Sequence, residues 1–439
     1  MESGYRLFGT DGVRGHANRD LTIDVAIDLA RAAGEGSDGP VVLGRDTRRS
    51  SPMLAAALHA GFNSVGVDTV DLGIVPVGAV SRLTIATGAE YGVMVSASHN
   101  PADDNGIKFF GRDGAKLSDE REAVIEARYR KGAPWRGPVG RLIGMQVVMP
   151  NALDRYLDHL KSDASYSLRG MEFVLDCANG AAFAAAPELF RRLGASVEVH
   201  GAEPDGTNIN AGCGATHPEF LGGLVNGRVG FAFDGDADRC VAVDEDGVTV
   251  NGDVIMAILA NQLKERGKLK RDVVVATVMS NLGFHRAMES LGIEVRQTTV
   301  GDRYVLEEMR RIRAVLGGEQ SGHILLEDRT TGDGLRTALR VAEVLAATAR
   351  PLRELRQIMT EFPQVLENIR VADRGGLEGC APVWEAVRAA EARLGAEGRV
   401  LVRASGTEPL VRVMVEARTR EMADEIAGAV RAVVVDELG

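Results

Sequence analysis

Cysteine is scarce in this sequence: Cys177, Cys213, Cys240 and Cys380 are spread through 439 residues and form no C-x-x-C pair. That spacing excludes a zinc knuckle and a disulfide framework and fits a reducing cytoplasm. Long apolar runs are absent as well. The longest charge-free stretch, Ser50 to Val67, is interrupted by Ser, Pro, His and Asn, so it reads as a helix of a soluble core and excludes a membrane span. Glu2, Arg6 and Asp11 leave no apolar segment near the start for a secretory signal. Positive charge is in deficit. Lys plus Arg is 51 against 62 for Asp plus Glu, a net charge of −11, which repels phosphate backbones and excludes non-specific nucleic-acid binding. A local cluster of arginines can still hold a phosphate on such a protein. Several motifs are missing too: no Walker P-loop, no H-E-x-x-H and no G-x-S-x-G occurs. Gly34 to Gly39 matches G-x-G-x-x-G, but it follows a helical stretch and precedes a strand, the reverse of the dinucleotide-binding order.

What remains has the balance of a globular protein, 45% hydrophobic and 26% charged, on a chain too long for one core. Short apolar runs (Val41 to Leu43, Tyr91 to Val95, Phe173 to Leu175, Val229 to Phe233, Val273 to Val278) alternate with Ala-rich stretches of helical period. That is the β-α-β pattern of parallel sheets covered on both faces. Thr22 to Arg31, Pro52 to Val65, Pro187 to Leu193, Val254 to Lys264 and Asp333 to Ala347 read as helices, the second with Ser51 as its cap. Gly, Pro and charge cluster at 131–140, 244–252 and 361–363. These breaks divide an α/β fold into domains of residues 1–148, 149–248 and 249–362 and a small α+β domain, 363–439, reading strand, helix, strand, strand, helix.

Chemistry concentrates at strand ends. Asp234, Asp236 and Asp238, in D-G-D-A-D-R after the run Val229 to Phe233, place carboxylates at alternate positions of a turn, where they can converge on a hard cation. A calcium loop is the rival reading, since Glu245 also falls at a suitable offset. Arg239 stands where that loop needs glycine and flanking helices are lacking, so Mg²⁺ fits better. Ala237 in the same turn suits a backbone of negative φ. Ser96 to Pro101, S-A-S-H-N-P, ends a second strand, and Asp104 to Lys108 turns a lysine back towards it. A serine next to a histidine in sequence is no triad, because sequence neighbours seldom face each other. Arg403 to Pro409, R-A-S-G-T-E-P, with Arg412, offers two guanidinium groups, hydroxyls and exposed backbone N–H groups, a phosphate cradle. Gly317 to His323 joins two apolar runs with polar side chains suited to sugar hydroxyls.

In this order, Gly9 to Gly15 (G-T-D-G-V-R-G), Ser96 to Pro101, Asp234 to Arg239, Gly318 to His323 and Arg403 to Pro409 resemble the α-D-phosphohexomutase superfamily across nearly the whole chain. The resemblance implies three related α/β domains and a small α+β C-terminal domain around a central cleft. It implies Ser98 as a phosphorylated serine, and Asp234, Asp236 and Asp238 with that phosphoserine as ligands of one Mg²⁺. Arg14, Lys108 and Arg239 match cations near the reacting phosphoryl group, and His99, Lys108 or His323 serves as acid or base. Gly301, Asp302, Glu319 and Ser321 match sugar-facing positions. Arg403, Ser405, Gly406, Thr407 and Arg412 match a site for the non-reacting phosphate. Gln320 stands where mannose and glucose members have Met, and G-E-Q-S-G-H looks like the glucosamine version.

The implied activity interconverts glucosamine 6-phosphate and glucosamine 1-phosphate through a hexosamine 1,6-bisphosphate, which also primes the serine, and feeds UDP-N-acetylglucosamine synthesis in the cytoplasm. The partners implied are a sugar phosphate and a second copy of the chain, with no nucleic acid and no membrane. A phosphomannomutase or phosphoglucomutase is the nearest alternative. A phosphatase or a non-catalytic sugar-phosphate binder belongs to other classes, and the intact serine and acid triad argue against the binder.

Overall fold

The computed structural model describes residues 7–9, 11–132, 137–327, 330–372, 374–405 and 409–439. The chain divides into two compact units, Met1–Met279 with Ile293–Ile358, and Ser280–Gly292 with Met359–Gly439.

The first unit carries three sheets. Its largest is built from β1 (Val13–His16), β2 (Val41–Arg45), β3 (Thr69–Ile74), β4 (Tyr91–Val95), β5 (Asp104–Phe110) and β6 (Gln146–Val148), in the order β1-β5-β4-β2-β3-β6. β2 pairs parallel with β3 and β4, and β5 lies antiparallel to β4 and β1. A second sheet joins β7 (Glu172–Asp176), β8 (Ser196–His200), β9 (Val229–Phe233), β10 (Cys240–Val243) and β11 (Thr249–Val250), in the order β11-β10-β9-β7-β8. A third joins β12 (Val273–Thr277), β13 (Glu294–Thr298), β14 (Gly317–Gly318) and β15 (Ile324–Leu325), in the order β13-β12-β14-β15. The central strands β2, β4, β9 and β12 are buried almost throughout. They read as continuous apolar runs because helices cover both faces, as expected for parallel strands.

Helix starts follow local chemistry. Thr22, Asn251 and Asp333 each accept a hydrogen bond from a backbone N–H of the first turn of the helices Ile23–Gly34, Gly252–Glu265 and Gly334–Thr348. Two expectations fail. Ser51 is not the cap of Ser51–Ser64: Ser50 precedes that helix, and the Ser51 hydroxyl donates instead to Asp46 at 2.6 Å. Pro187 does not open its helix, which begins at Ala182 and carries the proline inside. The preceding alanines supply the helical turns that a proline-first reading gives away.

The second unit packs β16 (Gln364–Arg370), β17 (Gly398–Ala404) and β18 (Leu410–Ala417), an antiparallel sheet ordered β16-β18-β17, against the helices Ala381–Leu394 and Arg420–Leu438. Its core includes Val365, Val383, Val411, Val413, Ile426 and Val430. The helix Leu282–Ser290 belongs to this unit although it lies between β12 and β13 in sequence. Polar bonds tie it there: Asn281 exchanges two hydrogen bonds with the Phe362 backbone at 2.9 Å each, and Glu416 accepts from the Leu282 N–H at 2.9 Å.

Candidate active site

The ends of β4 and β9 bring Ser98 and the aspartates together. Ser98 Oγ lies 2.5 Å from Asp234 Oδ2, and the serine adopts a left-handed backbone, φ 54°. A residue of that type at positive φ is uncommon and needs its surroundings to hold it. Here the Ser98 N–H donates to Ser96 Oγ at 2.9 Å, and its carbonyl accepts from Arg48 and Asn210, each at 2.9 Å. Gly235 closes against that same carbonyl, which a Cβ would strike.

Arg48 is fully buried and organises the whole turn. Its Nε pairs with Asp46 at 2.8 Å, and its other nitrogens donate to the carbonyls of Ser98, Asn100, Pro101 and Asp104. Asp46 accepts in turn from Ser51 and from Ser96. Sequence reasoning missed this pair. The available signal was Asp46-Thr47-Arg48 at the end of the apolar run of β2, the same strand-end position as the motifs recognised.

Ligand atoms of Asp234, Asp236 and Asp238 all lie within 4.8 Å of one another, and all three side chains are buried. Burial, then Asp238 and Asp236, push the Asp234 carboxyl well above the usual range. For Asp238 burial acts upward too, but Lys108 and His323 outweigh it and hold that carboxyl low. One oxygen each of Asp236 and Asp238 is buried without a hydrogen-bond partner. Converging carboxylates with orphaned oxygens fit a hard divalent cation, which satisfies both their charge and their lone pairs. Ala237, between two of the aspartates, has φ 58°, not the negative value expected. Its carbonyl is fixed by the Gly334 N–H at 2.9 Å, so the turn imposes the left-handed backbone despite the Cβ.

Cations frame the acids. Lys108, opposite Met94 in the β4–β5 register, sits 2.8 Å from Asp236, 2.9 Å from Asp11 and 3.4 Å from Asp238. Burial opposes its charge, yet Asp11, Asp236 and Asp238 hold its ammonium well above the ordinary range, so it is a fixed cation at neutral pH. Arg14 pairs with Asp11 and donates to Asn100 at 3.2 Å, and the Arg239 N–H donates to Asp234 at 3.1 Å. The Nε atoms of Arg14 and Arg239 are both buried without a hydrogen-bond partner, that of Arg239 lying 3.8 Å from Asp238 as an ion pair. His99 Nδ1 lies 3.3 Å from Ser98 Oγ, so these sequence neighbours do meet. Burial, then Arg239 and Arg14, push its imidazole down to about 4, leaving it neutral.

His323 is the reverse case. Its ring stands 3.1 Å from Asp302 and 3.5 Å from Asp238, and these carboxylates overcome burial and raise it to about 10. Asp302 also meets Lys116 at 2.7 Å, and Lys116 pairs with Asp11. Lys116 is a second residue the sequence did not disclose, since both its partners come from distant segments. The Gly301 N–H donates to Glu319 at 3.1 Å, and the hydroxyl oxygen of Ser321 is buried without a partner.

In the second unit, Arg403 and Arg412 face each other directly across β17 and β18. Burial, then Arg412, lower the Arg403 guanidinium from its ordinary value. Like charges placed opposite each other destabilise a sheet unless an anion joins them. Ser405, buried, closes the hairpin through its N–H to Leu410 at 2.8 Å. Gly406 and Thr407 lie outside the described residues.

A buried serine hydroxyl on a carboxylate triad within a frame of fixed cations is machinery for phosphoryl transfer. The comparisons agree with that geometry. Four family models match in sequence: Phosphoglucomutase/phosphomannomutase, alpha/beta/alpha domain I over residues 5–134, domain II over 154–247, domain III over 251–362 and the C-terminal domain over 366–433. The chain belongs to the phosphoglucomutase/phosphomannomutase family. A curated relative from Moorella thermoacetica, named phosphoglucosamine mutase, is 52% identical over 98% of this chain and 99% of its own length. Another of that name, from Streptomyces avermitilis, is 50% identical over 99% and 100%. Among solved structures, a phosphoglucomutase/phosphomannomutase family protein from Burkholderia thailandensis is similar with a TM-score of 0.82 and 26% identity, covering 98% of this chain and 97% of that one. Aspergillus fumigatus N-acetylphosphoglucosamine mutase, solved with GlcNAc-6P and magnesium, shares the fold with a TM-score of 0.71 at 20% identity, over 98% and 95%. Among the described residues no helix is long and apolar enough to cross a membrane.

Proposed function

We propose that this chain interconverts glucosamine 6-phosphate and glucosamine 1-phosphate, feeding UDP-N-acetylglucosamine synthesis in the cytoplasm. The observation that carries the substrate is the full-length identity, near one half, to relatives named phosphoglucosamine mutase. Gln320 in the loop between β14 and β15 agrees with it.

Ser98 is the residue that carries the phosphoryl group. In the forward step the Ser98 Oγ–P bond breaks as a sugar hydroxyl oxygen bonds to phosphorus, and the hydroxyl proton leaves to a base. The resulting 1,6-bisphosphate turns round, its other sugar O–P bond breaks as Ser98 Oγ bonds to that phosphorus, and the freed sugar oxygen takes back a proton. Asp234, Asp236, Asp238 and the serine phosphate hold Mg²⁺, which when bound neutralises charge on the phosphoryl oxygens. Lys108, Arg14 and Arg239 supply fixed positive charge beside the serine and are oriented in advance by Asp11, Asn100 and the metal-site acids. His99, 3.3 Å from Ser98 Oγ, is neutral and so open to a proton, whereas Lys108 and His323 already hold theirs. Glu319 and Ser321 take the sugar hydroxyls, with Gly301 and Asp302 setting the neighbouring loop. Arg403, Arg412, Ser405, Gly406 and Thr407 hold the phosphate that does not react.

The same reading includes a homodimer of this chain. Among the described residues β6 pairs only with β3, and Val139, Leu142, Met145, Val147 and Val148 beside or on it are exposed while Arg141 is the one charge in 138–149. An almost uncharged sheet edge is complementary to its own copy about a two-fold axis. Light scattering of the wild type and of Val147→Lys tests it, since a monomeric wild type contradicts it. For the activity, kcat/KM on glucosamine, glucose and mannose 6-phosphates is the test. The reading expects glucosamine 6-phosphate to be preferred by on the order of tenfold or more, and equal use of all three contradicts it.

A further inference from the structure

A cavity of about 350 Å³ opens in the first unit, apart from the site described above. Its floor is aliphatic: Leu259, Val315, Leu326 and Val344, all buried. Its lip is the chain that follows the helix Gly252–Glu265, where Arg266, Lys268 and Lys270 are exposed. Arg266 is fixed over the Tyr166 ring, its guanidinium carbon 5.1 Å from the ring centre. Lys268 and Lys270 make no ion pair among the described residues. On the far wall, the carboxylates Glu327 and Glu343 are both engaged by Arg340, at 2.9 and 2.7 Å.

Four cations therefore line the cavity against two carboxylates, in a chain whose net charge is −11. A pocket of sign opposite to the surrounding protein concentrates anions. The aliphatic floor adds a second requirement, because an inorganic phosphate or a sugar phosphate presents no flat apolar face to it. A nucleotide satisfies both demands, and the volume lies in the range of small-molecule sites.

We propose that this cavity is a second ligand site and takes a nucleoside diphosphate, its base on Leu259, Val315, Leu326 and Val344 and its phosphates on Lys268, Lys270 and Arg266. Ser165, at the rim, offers a hydroxyl to the base edge. Val315 precedes β14 and Leu326 follows β15, so the floor flanks the strand pair whose connecting loop holds Glu319, Ser321 and His323. An occupant that braces the floor acts on that loop through a short, continuous path.

The test is binding of a fluorescent N-methylanthraniloyl ADP to the full-length protein, with glucose 1,6-bisphosphate present throughout to fill the catalytic site. The expected result is saturable micromolar binding, displaced by unlabelled nucleoside diphosphate. It weakens at least about tenfold in Lys268→Glu/Lys270→Glu and is unchanged in Lys161→Glu, an exposed lysine outside the cavity. Absence of saturable binding below the millimolar range overturns the proposal, as does equal binding by the double variant or displacement by more bisphosphate. Displacement by laurate but not by unlabelled nucleotide also overturns it and assigns the cavity to an acyl chain. In steady-state assays the nucleotide shifts KM for the sugar phosphate in the wild type alone; a KM that does not move overturns the link to the catalytic loop.

Discussion

Arg48 sets the conformation of the serine turn while touching none of the reacting atoms. It gathers the carbonyls of Ser98, Asn100, Pro101 and Asp104 around one buried guanidinium and neutralises Asp46. Replacing it by Met leaves the Asp46 charge buried and four carbonyls short of a donor, so Arg48→Met loses about 3–5 kcal/mol of stability, read as a lower urea midpoint; an unchanged midpoint contradicts this. The aspartate triad yields a second prediction. In the metal-free protein Asp234 is raised by burial and by Asp238 and Asp236, so it keeps its proton to higher pH than an ordinary carboxyl. A cation must displace that proton. Affinity for a divalent cation, measured with Mg²⁺, therefore rises with pH above the ordinary carboxylate range, and calorimetry in buffers of different ionisation enthalpy records proton release, whereas a pH-independent affinity without proton release contradicts it. Ser98, Asp234, Asp236 and Asp238 could be singled out in the sequence because each lies in a short motif at the end of an apolar run; Lys108 was singled out from Asp104 to Lys108, read as a turn and found as part of the strand β5. Lys116 was not, since its partners Asp11 and Asp302 lie far away along the chain, whereas Arg48 carried a signal in Asp46-Thr47-Arg48 that went unread. The left-handed Ala237 was hidden for another reason: a fixed carbonyl, not residue preference, sets its φ.

Elements were readable where burial wrote a simple pattern. β4 and β9 span the apolar runs expected, because each is bounded by polar turns. β8 and β13 are half exposed edge strands with mixed residues, and the paired β14 and β15 are too short to show a period. The segment after β5 is a case where element geometry creates function. Lys116 follows that strand and reaches both Asp11 and Asp302, the first residue of the helix Asp302–Ile312. It acts as a positioning residue, holding Asp302 against His323. Lys116→Met removes one cation from each of two partly buried carboxylates, Asp11 and Asp302, and misplacement of this kind costs on the order of a hundredfold in kcat/KM. A positioning role predicts that kcat falls more than KM rises and that Lys116→Arg recovers much of the loss. Equal recovery failure in Arg and Met, with KM alone affected, contradicts it.

The whole molecule divides its labour between two units. One carries the serine, the acids and the cations around them; the other sets two arginines side by side on β17 and β18, an arrangement that an anion stabilises. The order of domains was legible because β-α-β alternation gives way to antiparallel strands near the C-terminal end. The attachment of Leu282–Ser290 to the second unit was not, because polar bonds to Phe362 and Glu416 decide it. The central claim is that one phosphoryl group passes through Ser98 in every turnover. It is tested most directly by treating the protein with a ³²P-labelled hexosamine 1,6-bisphosphate and mapping the label, with Ser98→Ala assayed alongside. The account predicts label on the peptide containing Ser98, its transfer to added glucosamine 6-phosphate, and loss of nearly all turnover in Ser98→Ala. Label elsewhere, or full activity in Ser98→Ala, contradicts it.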